Sequence, residues 1–269
     1  MRVTVGSILS GAIHLIVARA FFVLLGCAGA AVASVEPQVG LAYPLEGGAL
    51  LYREEHWRLE IDGIATRIVL YRCPDGLPFA RKEVRETAAA ASPDFELLDA
   101  RDGYREGVRG VAGGREAFWQ ADADAIVMAQ AFVPDAGTVI DAGFDAYVRT
   151  HWDDLLAGSR HQARFLLPSA LRQFPVRLRQ HGEGAGVGEI GFQMRLDAWY
   201  GFAAPQTRVF YRESDRRLLR FEGTGSIRDA RGRHRPVRIV FAQELHEQAA
   251  SRQQALDAVQ VPLDGRCRT

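Results

Sequence analysis

Six histidines follow residue 33, at positions 56, 151, 161, 181, 234 and 246, and their spacing bounds the chemistry this chain could carry. His151-Trp152-Asp153-Asp154 sets an imidazole beside two carboxylates, the parts of a general base and its orienting acid. A hydrolase would use His151 with Asp153 or Asp154; a histidine at the edge of an apolar core explains the same residues without chemistry. His246-Glu247 lacks the second histidine of a zinc-protease helix. Residues Gly186 to Gly191 spell G-x-G-x-x-G, but a dinucleotide site needs a helix to open there, and Phe192 to Leu196 reads as strand. No serine occupies a G-x-S-x-G elbow, and Gly223-Thr224-Gly225-Ser226 reads as a turn or bulge after a strand. The pattern implies no catalytic group, no bound metal and no cofactor.

The aromatic residues point elsewhere. Trp57, Trp119, Trp152 and Trp199, with Phe202, are the set that could line an apolar cavity, although core packing accounts for them as well. Tyr-Arg-Glu occurs at Tyr52, Tyr104 and Tyr211 at unequal intervals, which is no repeat array. In a strand, Tyr and Glu share one face, and a solvated sheet face laced by cross-strand ion pairs is the expected meaning. Cys73 and Cys267 could form a disulfide in an oxidising compartment, tying the Cys73-Pro74-Asp75-Gly76 turn to the C-terminal tail; two free thiols are the alternative.

These residues must be positioned mainly by strands. Gly48–Arg58, Ala65–Arg72, Pro78–Val84, Phe95–Asp99, Tyr104–Val108 and Glu116–Gln120 are β-branched or aromatic runs separated by turns such as Asp62-Gly63 and Asp102-Gly103. One core helix is predicted from Ala142 to Ala157, capped by Asp141 and ended by Gly158. Phe144, Val148, Trp152 and Leu155 give it an apolar stripe that Tyr147 and Leu156 widen. Strands resume at Arg164–Leu167, Val176–Gln180, Gly191–Ala198, Gln206–Tyr211, Arg217–Glu222 and Pro236–Phe241, and a polar helix is expected from Gln243 to Val259. The fold class is mainly β: a bent antiparallel sheet or unclosed half-barrel wrapped around one central helix, with a C-terminal helix.

The first 33 residues read as a secretory signal peptide. Arg2 and Arg19 precede an apolar block from Ala20 to Ala33, shorter than the roughly 20 residues that cross a bilayer. Ala31-Val32-Ala33 is a small-x-small cleavage pattern that would release a periplasmic chain from Ser34. Leu24-Leu25-Gly26-Cys27 is the competing lipobox, which would lipidate Cys27 and anchor the protein to a membrane. Removing residues 1–33 from 269 leaves 236, which suits a single β-rich domain over 34–269. Basic and acidic residues balance at 33 each, so no concentrated positive charge suggests nucleic acid. Lys82 is the only lysine, and base composition of the genome accounts for that.

The stretches LYREEHW, LYRCPDGLPFARK, FELLDARDGYREGVR, IDAGFDAYVRTHWDDLL and LLRFEGTGSIRD resemble a family of uncharacterised exported proteobacterial proteins. More remotely, the strand order with one helix midway is similar to periplasmic lipoprotein carriers of the Lol type. That resemblance implies an unclosed barrel with an apolar cavity, but transfers no residue. The expected function is non-enzymatic binding or carriage of a hydrophobic, acyl-chain or lipid-like ligand in the periplasm. An envelope assembly or scaffold protein that binds another protein is the alternative.

Overall fold

The computed structural model describes residues 38–86, 89–198, 206–241 and 252–267. The leader with Cys27, and the predicted site residues Trp199 and Phe202, lie outside the described residues.

Among the described residues, fifteen strands make one sheet. The first eight are β1 (Gln38–Pro44), β2 (Tyr52–Ile61), β3 (Ile64–Arg72), β4 (Pro78–Arg85), β5 (Asp94–Asp99), β6 (Tyr104–Val111), β7 (Gly114–Gln120) and β8 (Met128–Phe132). The others are β9 (Thr138–Ile140), β10 (His161–Leu167), β11 (Arg172–Gln180), β12 (Glu189–Leu196), β13 (Thr207–Arg212), β14 (Leu218–Arg228) and β15 (His234–Phe241). The order runs from β8 back to β1, across to β15, then down to β9, so two meanders join where β1 pairs with β15. Every pairing is antiparallel except β9 with β10.

The sheet curls without closing. Its edges are β8 and β9; side chains do most of the bridging, with one backbone bond from Ile140 N–H in β9 to the Ala91 carbonyl before β5 at 3.0 Å. Val84, Phe95, Val108 and Ala117 from one end form a cluster with Ile140 and Leu166 from the other. This is the expected half-barrel, though β1, β8 and β9 escape sequence reading. β8 (MAQAF) is nearly all exposed and β9 has three residues, so neither shows a period.

The central helix lies inside the curve. A 3-10 turn at Asp141–Gly143 leads into α1 (Phe144–Thr150) and α2 (Trp152–Leu156). Phe144, Val148, Trp152 and Leu155 are buried with Tyr147 against Val176, Leu178, Phe192 and Tyr211, which bears out the stripe. Three details differ from expectation. The helix breaks at His151, which leaves helical dihedrals (φ −103°, ψ 18°). Asp141 makes no cap, because its carboxylate turns to Lys82. Leu156 is exposed, because the stripe curves away from it.

The C-terminal helix α3 (Arg252–Gln260) covers the convex face, where Ala255 and Ala258 pack on Trp57 and Ile68. Arg81 donates from Nε to the Ala258 carbonyl at 3.1 Å near the end of α3. Cys73 and Cys267 are joined by a disulfide, so the tail is tied to the β3–β4 turn.

Candidate functional site: the polar interior of the half-barrel

Strand alternation puts residues 52, 54 and 56 of β2 on the concave face and Trp57 on the convex one. Register extends that face across six strands. His56, Val69, Lys82, Leu97, Glu106 and Trp119 oppose one another in a row from β2 to β7. Glu54, Tyr71, Ala80, Asp99 and Tyr104 form the next row. The Tyr-Arg-Glu motifs therefore do not mark a solvated face. In the first two, Tyr52 with Glu54 and Tyr104 with Glu106 are buried inside, and only the arginine looks outward. The third splits, with Tyr211 buried and Glu213 exposed.

The interior is a network of charge. Lys82, 6% exposed, donates to Asp141 Oδ2 at 2.5 Å and to Ser226 Oγ at 2.9 Å. Two local departures deliver these partners. Asp141 comes on the turn after β9, and the β14–β15 register shifts between Thr224 and Arg228, a bulge that re-aims side chains. The segment read as a turn or bulge after a strand thus lies within β14 and carries the bulge. The Tyr104 hydroxyl donates to Glu106 at 2.9 Å, and His56 pairs with Glu54 at 2.9 Å.

Burial governs the titration of this network. It pushes the Glu106 carboxyl up to about 7, with Asp141 adding to the rise and Lys82 and Tyr104 opposing it. It pushes His56 down despite its hydrogen bond to the Glu54 carboxylate, and His234 down as well. The Tyr71 and Tyr52 hydroxyls are raised by the same desolvation.

Two chambers open off this wall. The inner one, about 150 Å³, runs between Lys82, Asp141 and Ser226 on one side and Tyr71, Phe144, Phe221 and Phe241 on the other. The outer one, about 330 Å³, carries Arg58, Arg67, Arg149 and Arg217 against Asp145 and Asp215. Both are lined by His56, Arg67, Asp145, Leu218 and Phe241, so they are contiguous.

The predicted tryptophan set is dispersed. Trp57 sits under α3 on the convex face. Trp119 faces inward opposite Glu106. Trp152 is packed edge-on against Phe192 and Tyr211, at 5.0 and 5.3 Å between ring centroids. None of these three lines either chamber. Sequence reading missed Lys82, Glu106, Asp141, Ser226 and the mouth arginines. The signal for the first two lay in a lone lysine and a repeated Tyr-x-Glu alternation.

Lys82 Nζ ties Ser226 Oγ and Asp141 Oδ2 together, so the three side chains form one fixed polar group on the wall of the inner chamber.

No family model matches the chain. No curated protein matches it either. Among solved structures, it is similar to a beta-barrel-like protein of the domain of unknown function DUF1849 from Brucella abortus. The identity is 10% and the TM-score 0.44, over 79% of this chain and 98% of that one.

Proposed function

We propose that this is an exported, non-enzymatic binding protein whose half-barrel takes a small amphipathic anion, such as a short acyl chain bearing an acidic group. One observation carries the reading: an arginine-lined mouth continues into an aromatic chamber. Four arginines against two aspartates favour an anion at the entrance. Phe221, Phe241 and Tyr71 offer the apolar body its contact. The Cys73–Cys267 disulfide supports an oxidising compartment, and with it export.

Native mass spectrometry of protein purified from its own periplasm tests this. A small lipophilic acid lost on denaturation, and reduced at least tenfold in Arg67→Glu, is the expected result. A bare polypeptide mass, together with no displacement of a fluorescent fatty-acid probe, would overturn it.

A scaffold reading has its own support. β8 is an unpaired edge flanked by exposed Ile126, Val127 and Val133, the kind of strand that another chain can extend. Cross-linking from β8 to an envelope protein would favour that role.

A further inference from the structure

We infer that His151, Asp154 and His161 form a binding site for one borderline divalent cation of the zinc or copper class, outside the cavity of the half-barrel. The break between α1 and α2 puts His151 at the start of α2, and Asp154 follows three residues later, on the same side of the turn. His161 opens β10 and faces both. The His151 and His161 rings stack 4.3 Å apart between centroids. His161 Nε2 lies 3.9 Å from Asp154 Oδ2, and one ligand atom from each of the three residues falls within 4.8 Å of the others.

A tetrahedral ion with bonds of about 2.0–2.1 Å holds its ligand atoms roughly 3.3 Å apart. Small side-chain rotations close that gap. Asp154 can make them freely, since its side chain is 70% exposed. The second observation is a polar atom with nothing to bond. His161 Nε2 is buried and has no hydrogen-bond partner among the described residues, an arrangement that costs free energy. A metal ion would satisfy it. Stacking alone gives the two imidazoles no reason to leave that nitrogen bare.

The donor set selects the cation. Two imidazoles and one carboxylate suit Zn²⁺, Cu²⁺ or Ni²⁺, whereas Mg²⁺ and Ca²⁺ prefer all-oxygen shells. Three protein ligands leave a coordination position open to solvent on the exposed Asp154 side.

The test uses untagged, disulfide-intact protein stripped with a chelator and titrated with ZnCl₂ by calorimetry, with Co²⁺ absorption as a second readout. One ion per chain is expected. Affinity should fall at least tenfold in His161→Ala and in His151→Gln, and less in Asp154→Asn. Asp153→Asn should leave it unchanged, and MgCl₂ should give no heat. Variants whose far-ultraviolet circular dichroism matches wild type keep the comparison fair. No binding, or binding that survives both histidine changes, would overturn the assignment.

Discussion

Lys82 Nζ meets the carboxylate of Asp141 at 2.5 Å, joining β4 to the turn that leaves the opposite edge of the sheet. The seam between the two ends has little backbone bonding, so this ion pair is one of its ties. Lys82→Met should cost about 3 kcal/mol, the lower end for breaking a buried pair, because Asp141 keeps a third of its side chain in solvent. Adding Asp141→Asn should restore at least half of the loss by removing the stranded charge. Urea midpoints of the two variants decide it. An equal loss in both would mean that Lys82 acts through packing alone.

Because Lys82 is the only lysine, its burial can be read chemically. An amine-acylating reagent should modify a free chain N-terminus at once and Lys82 only at the rate of opening, with protection lost in denaturant. Peptide mapping after timed labelling checks this. Prompt labelling of Lys82 in native protein would place it at the surface and undo the interior network.

Glu106 gives the fold a pH dependence of defined sign. Its carboxyl is held up to about 7 in the folded protein against 4.5 as a reference, so between those values the folded state keeps a proton that the unfolded state releases. Stability contributed by this group therefore falls as pH rises through that window and stays level above it. His56 and His234, both pushed down by burial, tilt the curve the other way. The readout is thus the difference between wild type and Glu106→Gln. That difference should grow in favour of the variant from pH 4.5 to pH 8, by on the order of 3 kcal/mol. A pH-independent difference would mean that Glu106 titrates normally.

Strand identity was largely legible because turns such as Asp62-Gly63 and Asp102-Gly103 announce themselves, and both glycines take positive φ. The helix stripe was legible because four buried residues share one period. The interior was not. Alternation says that Tyr52 and Glu54 share a face, but not whether that face is concave, and a glutamate argues for solvent until a lysine from a distant strand is placed near it. Trp57 shows the converse: its burial comes from α3, a helix nearly 200 residues later with a weak apolar pattern of its own. Lys82 and Asp141 are 59 residues apart, and neither carries a local signal of the other.

The disulfide should matter more than its position near the chain end suggests. It closes a loop of 194 residues, worth about 5 kcal/mol in the chain-entropy model. It also holds the tail that continues from α3, and α3 covers Trp57. Cys267→Ser, or reduction, should lower the urea midpoint and shift Trp57 emission to the red, a shift absent when Trp57→Phe is added. Unchanged emission would mean that α3 docks without the tether.

Gly225 is where backbone packing and the polar network meet. A Cβ at this position would stand 2.9 Å from Val237 Cγ2 and 3.2 Å from the Tyr52 hydroxyl. Both neighbours are locked in the core, Val237 at 0% and Tyr52 at 2% exposure, so neither can yield cheaply. Gly225→Ala should therefore cost about 1–3 kcal/mol through overpacking. The strand must shift to accommodate it, and Ser226 is the next residue, so the 2.9 Å contact with Lys82 should loosen and amine labelling of Lys82 should quicken. Gly114→Ala is the matched control, since a Cβ there meets nothing within 4 Å and stability should change by no more than about 0.5 kcal/mol. Equal behaviour of the two alanine variants would mean that the bulge of β14 is not held by the close approach of Val237.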